Sequence, residues 1–190
     1  YSLSITYLDE DSNLSSVTDR ICRERKPLGI IFLGGSRVDF SEDTSSFKVP
    51  CVIVTTSAEN WSMEELSSVA IDDEKAGETI VDYLIEHGHT KIAEIGANLE
   101  LSQTAILRHN GYLNSFKKHG ITPDERYYER ARFSYDSAYH AMKKLLEKNI
   151  EITAVYAISD VMAIGAIRAI LDKGLRVPED ISITGFDGST

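Results

Sequence analysis

The sequence predicts an α/β fold in which short parallel strands alternate with helices. Three observations predict it. Apolar runs of strand length recur along the chain, amphipathic stretches of helical period separate them, and strand joins to helix and helix to strand through short loops with no hairpin turn between strands. That alternation implies right-handed crossovers with helices on both faces of the sheet.

In chain order, Leu3–Leu8 reads as a first strand, and Leu14, Val17 and Ile21 form the apolar face of a helix that the RERKP run ends. Gly29–Leu33 and Pro50–Val54 read as buried strands, with Pro50 tolerable only as the first residue of its strand. Ser36–Lys48 between them is polar with weak helical character. A Ser- and Glu-rich loop holding Trp61 leads to a fourth strand at Ser68–Ile71. Residues 74–87 form a helix through Ala76, Ile80, Leu84 and His87, and Gly88 can supply its left-handed terminator. Lys91–Ile95 is a strand, Leu107–His119 a helix burying Tyr112, Leu113 and Phe116, and Ser134 opens the helix of Tyr139, Met142, Leu145 and Leu146. Thr153–Ile158 is a strand, Asp160–Lys173 a helix and Ile181–Gly185 the last strand. The clean alternation begins after Asp72, so the expected boundary separates residues 1–72 from residues 73–190.

Composition limits the function classes. Among 190 residues, 20 basic side chains stand against 30 acidic ones, a net charge of -10. Phosphate contacts need clustered Lys or Arg, so this segment is not expected to touch DNA itself. No apolar run approaches the roughly 18 residues of a membrane span, and YSLSITYLDEDS lacks the basic start and apolar core of a signal peptide, so a soluble chain with no export address is expected. Cys22 and Cys51 read as small buried hydrophobes. Neither Gly-rich nucleotide fingerprint occurs, nor H-E-x-x-H, nor G-x-S-x-G, and His87 and His89 have no completing ligand nearby. No cofactor, metal or enzymatic activity is expected.

Ligands of open α/β sheets bind beyond the carboxyl ends of the strands. Those ends deliver Asp72, Asp73, the loop after Gly96, Phe133, Ser159, Asp160 and Asp187, with Arg108 on a helix. Carboxylates accept from hydroxyls, a guanidinium spans two oxygens and an aromatic ring packs on the apolar face of a sugar, so the set suits a polyhydroxylated ligand. Each residue has a plainer role open to it. Asp72, Asp73 and Asp160 can cap helices, Ser159 can complete a turn, Phe133 can belong to the core, Arg108 can be ion-paired, and Asp187 can be a turn residue.

The residues also resemble a known family. The stretch AVYAISDVMAIGAIRAILDKGLRVPEDISITGFD, Ala154–Asp187, is similar to the signature of the LacI/GalR bacterial transcription regulators. SSVAIDDEKAGETIVDYLIEHGHTKIAEIG, Ser67–Gly96, resembles that family's crossing segment, and RHNGY, Arg108–Tyr112, resembles its Arg-x-x-Gly-aromatic element. The resemblance implies an effector-binding domain of two doubly wound parallel-sheet lobes of the periplasmic-binding-protein-like type, the first lobe incomplete. The lobes close on a small molecule, usually a sugar, and closure controls an N-terminal helix-turn-helix that binds operator DNA as a dimer. By this resemblance Arg108 holds ligand oxygens, Asp187 accepts ligand hydroxyls, Phe133 stacks on the ligand and Ser159 contacts it; Asp160 and Asp73, from the strand-end reading, complete the expected ligand-binding set. Ser159-Asp160 replaces the family's Asn-Asp, shortening one contact, and Asp72-Asp73 replaces Asp-Asn, adding an acceptor that disfavours an anionic ligand.

The resemblance further implies a cytoplasmic homodimer, no membrane partner, and a longer protein of which this chain is an excerpt. Two other readings remain: an extracytoplasmic sugar-binding protein of a transport system, and a carbohydrate-modifying enzyme using two carboxylates.

Overall fold

In the computed structural model, residues 2–8, 13–34, 49–58, 66–100 and 102–189 are described. The expectations for Ser36–Lys48 and for the loop around Trp61 lie outside the described residues. The chain forms two compact units, Tyr1–Ile71 and Asp72–Thr190.

The first unit holds helix α1 (Leu14–Arg25) and strands β1 (Ile30–Leu33), β2 (Cys51–Val54) and β3 (Leu66–Val69), all parallel, in the order β1-β2-β3. Asn13 opens α1 by accepting from the Ser16 backbone N–H at 2.8 Å. Strand alternation sends Phe32, Cys51 and Ile53 into a small core with Leu14 and Leu66 packed against it. Ile31 and Leu33, one step out of phase, are exposed.

The run Leu3–Leu8, expected as a strand, is not one: residues 2–8 carry no ladder, and Leu3, Ile5 and Tyr7 are exposed. An apolar alternation becomes a strand only against a partner backbone, which this run lacks among the described residues. β3 also begins two residues earlier than expected, because Ser67 and Ser68 sit in register with Val52 and Ile53 of β2.

The second unit contains α2 (Asp73–Glu86), β4 (Ile92–Gly96), α3 (Gln103–Lys118), β5 (Tyr128–Arg130), α4 (Tyr135–Glu147), β6 (Ala154–Ala157), α5 (Asp160–Asp172) and β7 (Ser182–Thr184). Its four strands are parallel in the order β5-β4-β6-β7. The chain steps outward from β4 to β5, then reverses across β4 to β6 and β7. With right-handed crossovers, that reversal puts α3 on one face and α4 and α5 on the other. α2 pairs with α3, and α4 pairs with α5.

Ser102 caps α3 by accepting from the Ala105 N–H at 3.2 Å, so this helix starts four residues before the expected Leu107. Gly88, at φ of +91°, ends α2 where the sequence places its terminator, and Gly120, at +69°, ends α3 in the same way. Ile95, Val155, Ala157, Met142, Leu145, Met162, Ala166 and Ile170 build the core.

Both helix pairs meet backbone to backbone at glycines. A Cβ on Gly165 of α5 would collide with the Tyr135 carbonyl oxygen of α4, and one on Gly111 of α3 with the Glu74 carbonyl oxygen of α2. Neither neighbour is a side chain that can turn away. Gly165→Ala is therefore expected to cost about 1–3 kcal/mol by forcing α4 and α5 apart; urea denaturation at pH 7 checks it, and an unchanged midpoint refutes the close approach.

Candidate functional site

The site lies in the second unit, where the carboxyl ends of β6 and β7 meet the start of α2 and the first half of α3. Two successive aspartates divide the work at the start of α2. Asp72 is the cap, its carboxylate accepting from the Lys75 N–H at 2.9 Å. Asp73, one step around the helix, is buried and accepts from Arg108 Nε at 2.8 Å.

Arg108 is itself 8% exposed. Its Nη1 donates to the Ile158 carbonyl at 2.5 Å, just past the end of β6, and lies 3.8 Å from Asp187 Oδ1. The Phe186 ring stacks beneath the guanidinium with its centroid 3.4 Å from Cζ. Burial pushes the Asp73 carboxyl up; the hydrogen bond and charge of Arg108 offset this only in part, and Asp187 and Asp72 add to the rise. One cation thus faces two carboxylates, and the Asp187 side chain is 45% exposed. The two hydrogen bonds use two of the five guanidinium N–H groups.

Ser159 and Asp160 behave differently from each other. Ser159 occupies the cap position of α5 without a capping hydrogen bond, and its Oγ is buried with no hydrogen-bond partner among the described residues. Asp160 is committed to the turn after β7. Its Oδ1 accepts from the N–H of Phe186 at 2.7 Å and of Asp187 at 3.2 Å, and its Oδ2 from the N–H of Ser189 at 2.5 Å. The Asp160 N–H in turn donates to Asp187 Oδ2 at 3.2 Å. The Ser189 N–H foremost, opposed by burial and helped by the N–H groups of Phe186, Asp187 and Gly188, holds the Asp160 carboxyl below the usual carboxylate range.

The structure therefore brings together Asp73, Arg108, Asp187, Ser159 and Asp160. Phe133 follows β5 in the loop before α4 and is 45% exposed. The aromatic ring that the structure sets against Arg108 is Phe186, which sequence reasoning passed over although it adjoins Asp187.

A second missed feature starts at the residue after Arg108. Glu94 on β4 is 1% exposed, and its Oε2 lies 2.7 Å from Nδ1 of His109, the residue after Arg108 on α3. Glu94 is in register with Tyr128 of β5 and Tyr156 of β6, so an acid flanked by two phenols faces the α2–α3 pair. Burial foremost pushes the Glu94 carboxyl up against the pull of His109. Burial also draws the His109 imidazole down, but the Glu94 hydrogen bond and charge outweigh it and the net shift is upward. No sequence periodicity distinguishes a charge facing the sheet from one facing water.

Among the described residues no group of His, Cys, Asp and Glu is placed to hold a metal ion, and no helix is long and apolar enough to cross a membrane.

Comparison with known proteins adds to this geometry. Residues 81–190 match the model of a periplasmic binding protein-like domain. The regulator MalR of Clostridium butyricum is 36% identical over 87% of this chain and 50% of its own length. Catabolite control protein A of Priestia megaterium is 34% identical over 85% of the chain and 48% of its own length. The chain spans about half the length of these curated relatives. Among solved structures, a complex of the regulator CelR with cellobiose is similar at a TM-score of 0.79 and 29% identity, over 92% of this chain and 53% of that one. The regulator CcpA of Lactococcus lactis matches at 0.78 and 27%, over 95% and 65%.

Proposed function

We propose a sensing role on one premise: the chain belongs to the LacI/GalR family of bacterial transcription regulators. In this reading it is the effector-binding part of a cytoplasmic, homodimeric regulator. A neutral, hydroxyl-rich small molecule binds at Arg108 and Asp187, with Asp73 behind the arginine and Ser159 and Phe133 at the margins. Binding alters operator affinity through a helix-turn-helix headpiece. Coupling of this kind is typically about 1–3 kcal/mol, bounded by the effector's preference for one state.

The observation that carries the chemical class is the balance around Arg108. Its positive charge is met by Asp73 at 2.8 Å and Asp187 at 3.8 Å. An anionic ligand would have to displace or oppose these carboxylates, whereas hydroxyls can donate to Asp187 and accept from the remaining guanidinium N–H groups. The cellobiose bound in the CelR complex fits this class. The relatives are regulators, and this weighs against the transport and enzyme readings.

A thermal-shift screen of the full-length protein against cellobiose, ribose, sorbitol and guanine tests the proposal. A sugar or polyol at 100 times its dissociation constant should add about 2.7 kcal/mol of stability. A response to guanine alone, or to none of the neutral sugars and polyols, sinks the assigned class.

A further inference from the structure

We infer that Asp160 is a positioning residue, a carboxylate latch that holds the turn after β7 so that Phe186 and Asp187 face Arg108, and that it acts without touching the effector. The inference rests on the sensing role proposed above and explains what Asp160 does within it.

The geometry is reciprocal. Asp160 is the first residue of α5, and its two carboxylate oxygens gather three backbone N–H groups from Phe186, Asp187 and Ser189. The carboxylate of Asp187 returns the contact by accepting from the Asp160 N–H. Two carboxylates thus fasten one helix start to one turn. Backbone N–H groups at a helix start are orphan donors, and a carboxylate is the best neutral-pH acceptor for them.

Two consequences reach the ligand-facing side. Phe186 and Asp187, whose N–H groups the latch holds, are the residues that stack under Arg108 and oppose its charge. With both oxygens already occupied by N–H donors, Asp160 has little left to offer a hydroxyl. Gly185 makes the approach possible: a Cβ there would collide with Asp160 Oδ1, so a side chain at this position expels the carboxylate. The Gly-Phe-Asp run therefore has a mechanical reading, with glycine admitting the latch and the next two residues presented by it.

The test uses the full-length protein and two variants that break the latch from opposite sides, Asp160→Asn and Gly185→Ala. An asparagine at 160 turns an NH₂ toward at least one of the N–H donors, and an alanine at 185 displaces Oδ1. Hydrogen exchange of the peptide covering residues 182–189 reads the latch without any ligand. It should rise about tenfold or more in both variants while exchange in β4 and β6 stays at the wild-type level. Calorimetric titration with whichever of cellobiose, ribose or sorbitol gives the largest thermal shift should show affinity weakened by about tenfold or more, as expected for loss of hydrogen bonds to a charged group.

Unchanged exchange at 182–189 in both variants overturns the latch. Faster exchange with wild-type affinity overturns the positioning role. If the wild type answers none of the three compounds, the sensing class fails instead, and the exchange result alone still decides whether the latch exists. A variant that does not fold is replaced by the other, since the two changes stand on different elements.

Discussion

Arg108→Ala is expected to remove about 3–5 kcal/mol of folding stability and, with it, the thermal response to the effector. The first effect follows from burial. Asp73 is 3% exposed, and Arg108 is the cation that compensates it. Truncating the arginine leaves a carboxylate enclosed without its partner, takes the donor from the Ile158 carbonyl, and removes the cation stacked on Phe186. The cost is that of an uncompensated buried charge, which exceeds the net worth of the pair. A double variant, Arg108→Ala with Asp73→Asn, should therefore regain much of the stability by removing the stranded charge, yet still fail to respond to ligand. Urea denaturation at pH 7 measures the first outcome and the sugar screen the second. Equal stabilities for the single and double variants would contradict the buried-pair account. Arg108→Lys should keep the charge but lose the forked geometry, so it should be more stable than the alanine variant and still bind poorly.

The second large effect is expected at His109. His109→Ala should cost about 3–5 kcal/mol at pH 7, because Glu94, enclosed at 1% exposure, loses its imidazole partner. Lowering the pH to 5 should shrink that cost, since protonating Glu94 removes the charge that has no partner. The wild type should show the matching linkage. Glu94 and His109 are both shifted upward, so the folded pair holds protons more tightly than the unfolded chain. The imidazole's share of this stability is full below its ordinary value near 6.5 and is lost as pH rises through the raised folded value, whereas the carboxyl's share is full only below its ordinary value near 4.5 and is lost as pH rises through its own raised value.

The other titrating groups packed around the pair are Tyr112, Tyr128 and Tyr156. Burial foremost, with the charge of Glu94, holds all three phenols above their usual range, so none ionises in this window. Denaturation midpoints from pH 6 to 9 check the slope. Glu94→Met with His109→Leu should flatten it and recover most of the stability, as apolar replacement of a buried pair commonly does. A single histidine variant as stable as the wild type at pH 7 would show the pair to be inconsequential.

Much of the fold was legible because periodicity is a one-dimensional record of burial. Residues 160–172 repeat every three to four positions and form α5, and the apolar run at 154–157 is a strand buried throughout. Leu3–Leu8 misled for the same reason in reverse: alternation states that a strand could form, while pairing depends on a partner elsewhere in space. The early start of α3 turned on one serine hydroxyl reaching one N–H, a cap that the apolar pattern does not encode.

The sequence by itself determined the parallel α/β class, the terminating glycines, the acidic charge that argues against DNA contact by this segment, and the family signature from Ala154 to Asp187. It also named polar groups at the strand ends, of which the structure sets Asp73 and Asp187 beside Arg108. Only the tertiary structure decided their roles. It made Asp72 a cap and Asp73 an ion-pair partner, turned Asp160 toward a turn nearly thirty residues downstream, set Phe186 against Arg108, and paired buried Glu94 with His109. Local spacing sets which face of a helix or strand a side chain occupies. What that face meets is set by the order β5-β4-β6-β7, which joins segments far apart in the chain and leaves no periodic trace in any one of them.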